Sequence, residues 1–199
     1  RDLRAKVSFL ELCRNPELAA QVTLMPIERL GVDAAIIFAD ILLVVEPLGL
    51  GLTFGKGEGP RISPPVRSAA DIDRLRQGDP AAELAYVYEA IRLVRKELPA
   101  EVPLIGFCGA PFTVASYAIE GGASRDYAET KKLMLTDPGA WDALMGRIVD
   151  ALTVYLNAQI EAGADVVQIF DSWVGCLSPE DYGRYVMPHS RRLIGGVRQ

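Results

Sequence analysis

Asp40 stands inside an apolar stretch, after Ala34-Ala35-Ile36-Ile37-Phe38-Ala39 and before Ile41-Leu42-Leu43-Val44-Val45. A carboxylate in such surroundings is costly to bury unless it is paired or used. It accepts hydrogen bonds and donates none when ionised, so it suits clustered N–H donors or a developing cation. The plain alternative is an aspartate satisfied by backbone amides at the end of a strand. Tyr117 lies in the block Gly106-Phe-Cys-Gly-Ala-Pro-Phe-Thr-Val-Ala-Ser-Tyr117. There Gly109-Ala110-Pro111 turns from a strand into a helix whose first amides are free to meet an anion. Tyr117, about two turns in, is either a core tyrosine or a hydroxyl offered to a site. Asp171-Ser172-Trp173 follows another short apolar run, and the Ser172 hydroxyl can donate to a carboxylate. Arg1, Arg4 and Arg14 could pair with anions bidentately, or serve as surface charges.

Other chemistries lack their residues. The one histidine, His189, follows Met187-Pro188 inside a helical segment and has no Ser/His/Asp partners in view. Cys13, Cys108 and Cys176 are far apart and carry no ligand spacing, which argues against a disulfide framework and a structural zinc site. Reduced thiols in a reducing compartment follow. Gly55-Lys-Gly-Glu-Gly59 lacks the Lys-Ser/Thr ending of a phosphate-binding loop. The net charge of −5, with Lys and Arg scattered, gives no basic face for nucleic acid. The apolar run around Ile41–Val45 is interrupted by Asp40 and Glu46, well short of the roughly 20 residues a membrane span requires. No signal peptide is visible. A cytoplasmic protein without nucleic-acid or membrane partners is expected.

The elements that must position these residues alternate. Asn15-Pro16-Glu17 opens a helix that runs through Leu18, Val22 and Met25, with Pro26 as a kink, to Gly31. A second helix is predicted over Pro80–Leu98, with Leu84, Tyr88, Ile91 and Leu98 on one face. A third starts at Asp137-Pro138, carries Leu144, Ile148, Leu152 and Tyr155 at helical spacing, and stops at Gly163. Ser178-Pro-Glu-Asp181 fits a capping box opening a fourth. Ala34–Phe38, Leu104–Cys108 and Val166–Phe170 are short apolar runs of the kind found in parallel strands covered on both faces. Gly49–Arg67 reads as an irregular excursion with a hairpin. The stretches Gly31–Asp40 and Gly163–Ser172 match in Gly, Asp, Ile and Phe, which sets Asp40 and Ser172 at equivalent strand ends. In a parallel α/β barrel reactive groups gather at the carboxyl ends of the strands, so both are predicted to face one mouth. The fold class is α/β, a (β/α)8 TIM-type barrel incomplete in this chain, with residues 1–199 forming a single partial barrel domain.

Five ordered blocks resemble the bacterial uroporphyrinogen decarboxylase family. They are Phe9-Leu-Glu-Leu-Cys-Arg-Asn-Pro-Glu-Leu-Ala, Asp33-Ala-Ala-Ile-Ile-Phe-Ala-Asp-Ile-Leu, Phe54-Gly-Lys-Gly-Glu-Gly-Pro-Arg-Ile, Gly106 to Tyr117, and Gln168-Ile-Phe-Asp-Ser-Trp-Val-Gly. Together they span essentially the whole chain. The resemblance implies a homodimeric (β/α)8 barrel that works without cofactor or metal. It implies the conversion of uroporphyrinogen III to coproporphyrinogen III by loss of carbon dioxide from four acetate arms. Asp40 matches the aspartate that binds the pyrrole N–H groups, and Tyr117 the tyrosine that contacts substrate and that aspartate. Ser172 matches a serine that binds a substrate carboxylate, and Arg4 matches, by spacing, a substrate-binding arginine. The family's opening Arg-Gln-x-Gly-Arg-Tyr motif, late histidine and closing strands have no counterpart here. A fragment inactive by itself is therefore expected. The fold-related corrinoid- and zinc-dependent methyltransferases are the alternative, but Cys108 and Cys176 lack a histidine partner.

Overall fold

The computed structural model describes residues 7–55 and 59–198. Helix α1 (Phe9–Arg14) opens with a reciprocal cap: Glu11 N–H donates to Ser8 Oγ at 3.2 Å, and Ser8 N–H to Glu11 Oε2 at 2.7 Å. Asn15 then caps α2 (Pro16–Leu30), its Oδ1 accepting from Leu18 N–H at 2.8 Å. The helix closes at Gly31, whose φ of 62° is the left-handed turn that glycine makes without a Cβ clash. The other helix-ending glycine, Gly163, does the same at φ 116°, so the matching glycines of the two similar stretches do the same job.

Strand β1 (Ala35–Ile36) is shorter than the apolar run predicts. Its last ladder bond is Ile37 N–H to Ile105 O at 3.0 Å. The next amide, Phe38 N–H, turns to the buried Thr23 hydroxyl of α2 at 2.9 Å, which pulls the chain out of the sheet. The predicted hairpin is present as β2 (Gly51–Phe54) and β3 (Pro60–Ser63), antiparallel with Gly51 opposite Ser63. After α3 (Ala69–Asp73), the helix expected over Pro80–Leu98 forms in two pieces, α4 (Pro80–Glu83) and α5 (Ala85–Glu97). The break falls at Leu84, where the Pro80 carbonyl accepts both Leu84 N–H at 3.2 Å and the Tyr88 hydroxyl at 2.8 Å.

β4 (Leu104–Gly109) leads through Ala110 into α6 (Pro111–Glu120), followed by α7 (Ala128–Thr136), the long α8 (Pro138–Ala162) and β5 (Val166–Phe170). The sheet order is β1-β4-β5, all parallel, with Ile36 beside Ile105 and Gly106 beside Val167. Parallel neighbours need helical crossovers, and α5 with its flanking elements and α6 through α8 supply them. Only central β4 is covered nearly throughout. Among the described residues β1 and β5 each have a strand on one side alone, and Ile36 (53% exposed), Val166 (51%) and Phe170 (39%) stand open, so the expectation of strands covered on both faces fails at β1 and β5. The described strands make three staves of the parallel barrel type.

Beyond β5, Ser178 Oγ accepts from Asp181 N–H at 3.0 Å to open α9 (Pro179–Asp181). The Asp181 carboxylate takes the Ser178 hydroxyl at 2.9 Å and not its backbone amide, so the predicted box is half formed. A π turn over Tyr182–Val186 follows, with Met187 N–H reaching Tyr182 O, and leads into α10 (Met187–Gly196). Pro188 has no N–H to give to the preceding turn, which is where such a wide turn is tolerated.

Gln159 of α8 ties helix to sheet. Its amide accepts from Phe107 N–H and donates to Phe107 O, both at 2.9 Å, in a fully buried position. It meets the polar backbone that β1 leaves uncovered on turning away. Gly106 makes room, since a Cβ there would stand 2.5 Å from Gln159 Oε1. Trp141, Tyr155, Phe112, Leu144 and Ile148 fill the space between α6, α8 and β4.

Candidate active site

The carboxyl ends of the three parallel strands carry the reactive groups. After β1 the chain runs to Asp40 and then into a short 3-10 turn at Leu43–Val45. One carboxylate oxygen of Asp40 accepts from Leu42 N–H at 2.8 Å. Burial pushes the Asp40 carboxyl above its ordinary value, and the Leu42 bond only partly offsets this. Among the described residues no cation pairs with it, so the charge is held at a cost inside the fold. Its field reaches the buried Cys13 thiol, pushed up to about 12 by burial first and by Asp40 next.

Tyr117 lies on α6, a helix buried from Pro111 to Ile119 because it is packed against α7 and α8. Burial raises the Tyr117 hydroxyl above its ordinary range, a hydrogen bond with Trp173 works against the rise, and the charge of Asp40 adds to it. The two predicted groups therefore share one electrostatic environment. Trp173, in the loop after β5, lies edge-on to Tyr117, with ring centroids 5.9 Å apart at 63°. Its other neighbour is Tyr127, at 5.6 Å and 38°.

A second carboxylate, Asp171, sits at the exit of β5. Burial raises it, and hydrogen bonding from Thr113 counters. The Thr113 hydroxyl, fully buried on α6, donates to Asp171 Oδ1 at 2.8 Å and accepts from Trp173 N–H at 3.3 Å. Thus α6 and the β5 loop are stitched together beside Tyr117. Ala110 N–H adds a bond to Phe170 O at 2.7 Å.

Of the residues singled out from the sequence, Asp40 and Tyr117 are linked by the field of the Asp40 charge, which acts on the Tyr117 hydroxyl. Ser172 is exposed on the same end of the sheet, between Asp171 and Trp173. Arg4 lies outside the described residues, as does Arg1. Arg14 is paired with Glu46. His189 donates or accepts through Nε2 to Asp142 at 3.0 Å, on the helical side. Thr113, Tyr127 and Trp173 acquire their importance only in the fold. Trp173 was visible as the end of a strand block, but nothing in its spacing pointed at Tyr117. A separate apolar cavity of about 580 Å³ opens between α2 and β1, lined by Val22, Thr23, Pro26, Ile36, Phe38 and Phe107. It holds none of the ionisable groups. Among the described residues no three His, Cys, Asp or Glu side chains converge as a metal site would need, and no helix is long and apolar enough to cross a membrane.

Helix-covered parallel strands with an unpaired carboxylate and a phenol at their carboxyl ends define a segment of a parallel α/β-barrel protein. The uroporphyrinogen decarboxylase (URO-D) family model matches residues 1–199, and the chain belongs to that family. It is 54% identical over 198 residues to the uroporphyrinogen decarboxylase of Carboxydothermus hydrogenoformans, covering all of this chain and 57% of the relative. The enzyme of that name from Sorangium cellulosum is 57% identical over 194 residues, which are 98% of this chain and 55% of the relative. The chain thus spans a little over half the length of these relatives. Among solved structures, a methyltransferase from Methanosarcina mazei superposes with a TM-score of 0.73 at 22% identity, covering 96% of this chain and 59% of that one. That likeness concerns the fold alone.

Proposed function

We propose that the protein to which this chain belongs decarboxylates the acetate arms of uroporphyrinogen III to give coproporphyrinogen III, with Asp40 at the centre of the site. An acetate on a pyrrole cannot lose carbon dioxide directly, because the electron pair left on carbon has no acceptor. Protonation of the ring supplies one. The bond to the carboxylate then breaks toward the ring, carbon dioxide leaves, the exocyclic carbon takes a proton to become methyl, and the ring returns its extra proton. No cofactor is needed in this scheme, since the protonated ring receives the pair.

Asp40 is assigned to the pyrrole N–H groups and to the cation that grows on the ring. A fixed carboxylate at about 4 Å, with an effective dielectric of about 20, interacts with that cation by roughly 4 kcal/mol. If this is realised only in the transition state, it amounts to about a thousandfold in rate. Tyr117 is assigned to contact with the substrate and Asp40, and Ser172 and Arg4 to substrate carboxylates. The protein is taken to act in the cytoplasm, as a homodimer at full length. The observation that carries this reading is the half-buried Asp40, without a cation partner among the described residues, whose burial raises its pKa and whose charge acts on Tyr117, in a member of this family. The methyl-transfer reading has no matching residue-level support: His189, the one histidine in the sequence, is engaged with Asp142.

The test is a decarboxylation assay with uroporphyrinogen on the full-length protein and its Asp40→Asn variant. Carbon dioxide release that collapses in the variant is the expected result. An inactive full-length protein, or a fully active variant, overturns the proposal.

A further inference from the structure

Tyr127 carries two costs at once. It adopts φ 53° and is the one non-glycine residue at positive φ among the described residues. Its hydroxyl is buried without a hydrogen-bond partner. Strained backbone of this kind persists only where its surroundings over-determine it, and such outliers gather at functional sites. What Tyr127 meets is the face of Trp173, 5.6 Å away at 38°. Trp173 also meets Tyr117, edge-on at 5.9 Å. The Trp173 backbone is fixed as well, its N–H donating to the buried Thr113 hydroxyl. A half-buried indole in a loop, packed against two tyrosine rings with its backbone N–H held by Thr113, is a poor choice for mere core filling.

We propose that Trp173 is a positioning residue for Tyr117: braced by Tyr127 and Thr113, it holds the Tyr117 ring and hydroxyl in register with Asp40. The inference rests on the decarboxylase reading for its kinetic consequence, and on geometry alone for the contact. Trp173 acts through Tyr117 and does not itself touch reacting atoms. In this arrangement the indole N–H is assigned to the phenol oxygen, which then keeps its own proton for the site. A donor at that oxygen favours the ionised phenol, the direction in which Trp173 opposes the rise that burial gives Tyr117.

The test uses the full-length protein with Trp173→Phe, Trp173→His, Tyr117→Phe and the double variant Trp173→Phe/Tyr117→Phe. Phenylalanine keeps a flat ring but removes the donor, and histidine restores a ring N–H. Trp173→Phe is expected to lower kcat about tenfold, the worth of one hydrogen bond, with KM within about twofold. Trp173→His should recover most of that loss. In the Tyr117→Phe background Trp173→Phe should cost nothing further, because the group it acts through is gone. Losses that multiply in the double variant mean a structural role and overturn the proposal.

A second readout does not depend on activity. The phenolate absorbance difference between the protein and its Tyr117→Phe variant reports the Tyr117 titration. It should move to higher pH in Trp173→Phe and return toward the original in Trp173→His. A titration that stays in place refutes the contact whatever the protein catalyses. Absence of uroporphyrinogen turnover with a shifted titration would sink the decarboxylase reading and leave the positioning intact.

Discussion

Replacing Thr113 by Val tests the stitching of α6 to the β5 loop. Valine has nearly the shape of threonine, so the fully buried site keeps its packing and loses only the hydroxyl. Two bonds go with it: the one to Asp171 Oδ1 at 2.8 Å and the one from Trp173 N–H at 3.3 Å. A bond to a charged acceptor contributes about 1.5–3 kcal/mol, and the half-buried Asp171 recovers part of it from water, so the lower end applies. The longer Trp173 bond adds about 0.5–1 kcal/mol. The sum is about 2–2.5 kcal/mol. With a urea slope of about 2 kcal/mol/M, the unfolding midpoint should fall by about 1 M.

The loss should also depend on pH. Asp171 already lies above its ordinary 3.8 in the fold, and without Thr113 it rises further. The folded variant then resists ionisation more than the folded parent, while the unfolded chains titrate alike. The difference in stability is therefore present above both folded values and fades as pH falls through them toward 3.8. Urea melts of the full-length protein and Thr113→Val at about pH 8 and about pH 4 measure both effects. Thr113→Ser, which keeps the hydroxyl, should lose far less. A midpoint within about 0.2 M of the parent, or an equal loss at both pH values, would refute the reasoning.

Three other outcomes are expected. Asp40→Asn should lower the decarboxylation rate by about a thousandfold yet leave the protein more stable at neutral pH. Because the folded pKa of Asp40 is raised, its charge costs stability only as pH climbs above 3.8, so the variant's advantage in thermal melting should shrink on acidification. Ser172→Ala should raise KM about fivefold with kcat unchanged in steady-state kinetics, the effect of one carboxylate bond on an exposed hydroxyl. Gln159→Leu orphans the buried N–H and C=O of Phe107, at about 1–3 kcal/mol each, so chemical denaturation should show a loss of roughly 2–6 kcal/mol.

Local signals were legible wherever a residue acts on its immediate neighbours. Asn15-Pro16 and Asp137-Pro138 announce α2 and α8, and Gly31 and Gly163 end them, because caps and left-handed turns are settled within a few residues. The apolar runs around Ile36, Phe107 and Ile169 mark the strands, and Asp40 stood out because nothing else in its run was polar. The exceptions are also local: Thr23 shortens β1 by capturing the Phe38 amide, and at the Leu84 break the Tyr88 hydroxyl joins Leu84 N–H on the Pro80 carbonyl. Neither competition has a signature in spacing.

By itself, then, the sequence determined the alternation of strand and helix, the parallel class and the family, and it singled out Asp40 and Tyr117 as candidates. Only the tertiary structure decided that Arg14 is spent on Glu46, that Gln159 covers Phe107, and that Thr113, Tyr127 and Trp173 close around Tyr117. The reason is range. Caps and turns draw on residues within one helical turn, whereas Trp173 meets Tyr117 across more than fifty residues of chain, through two helices and a strand that must first fold. Such a contact leaves no periodicity behind, and only the packed chain can show it.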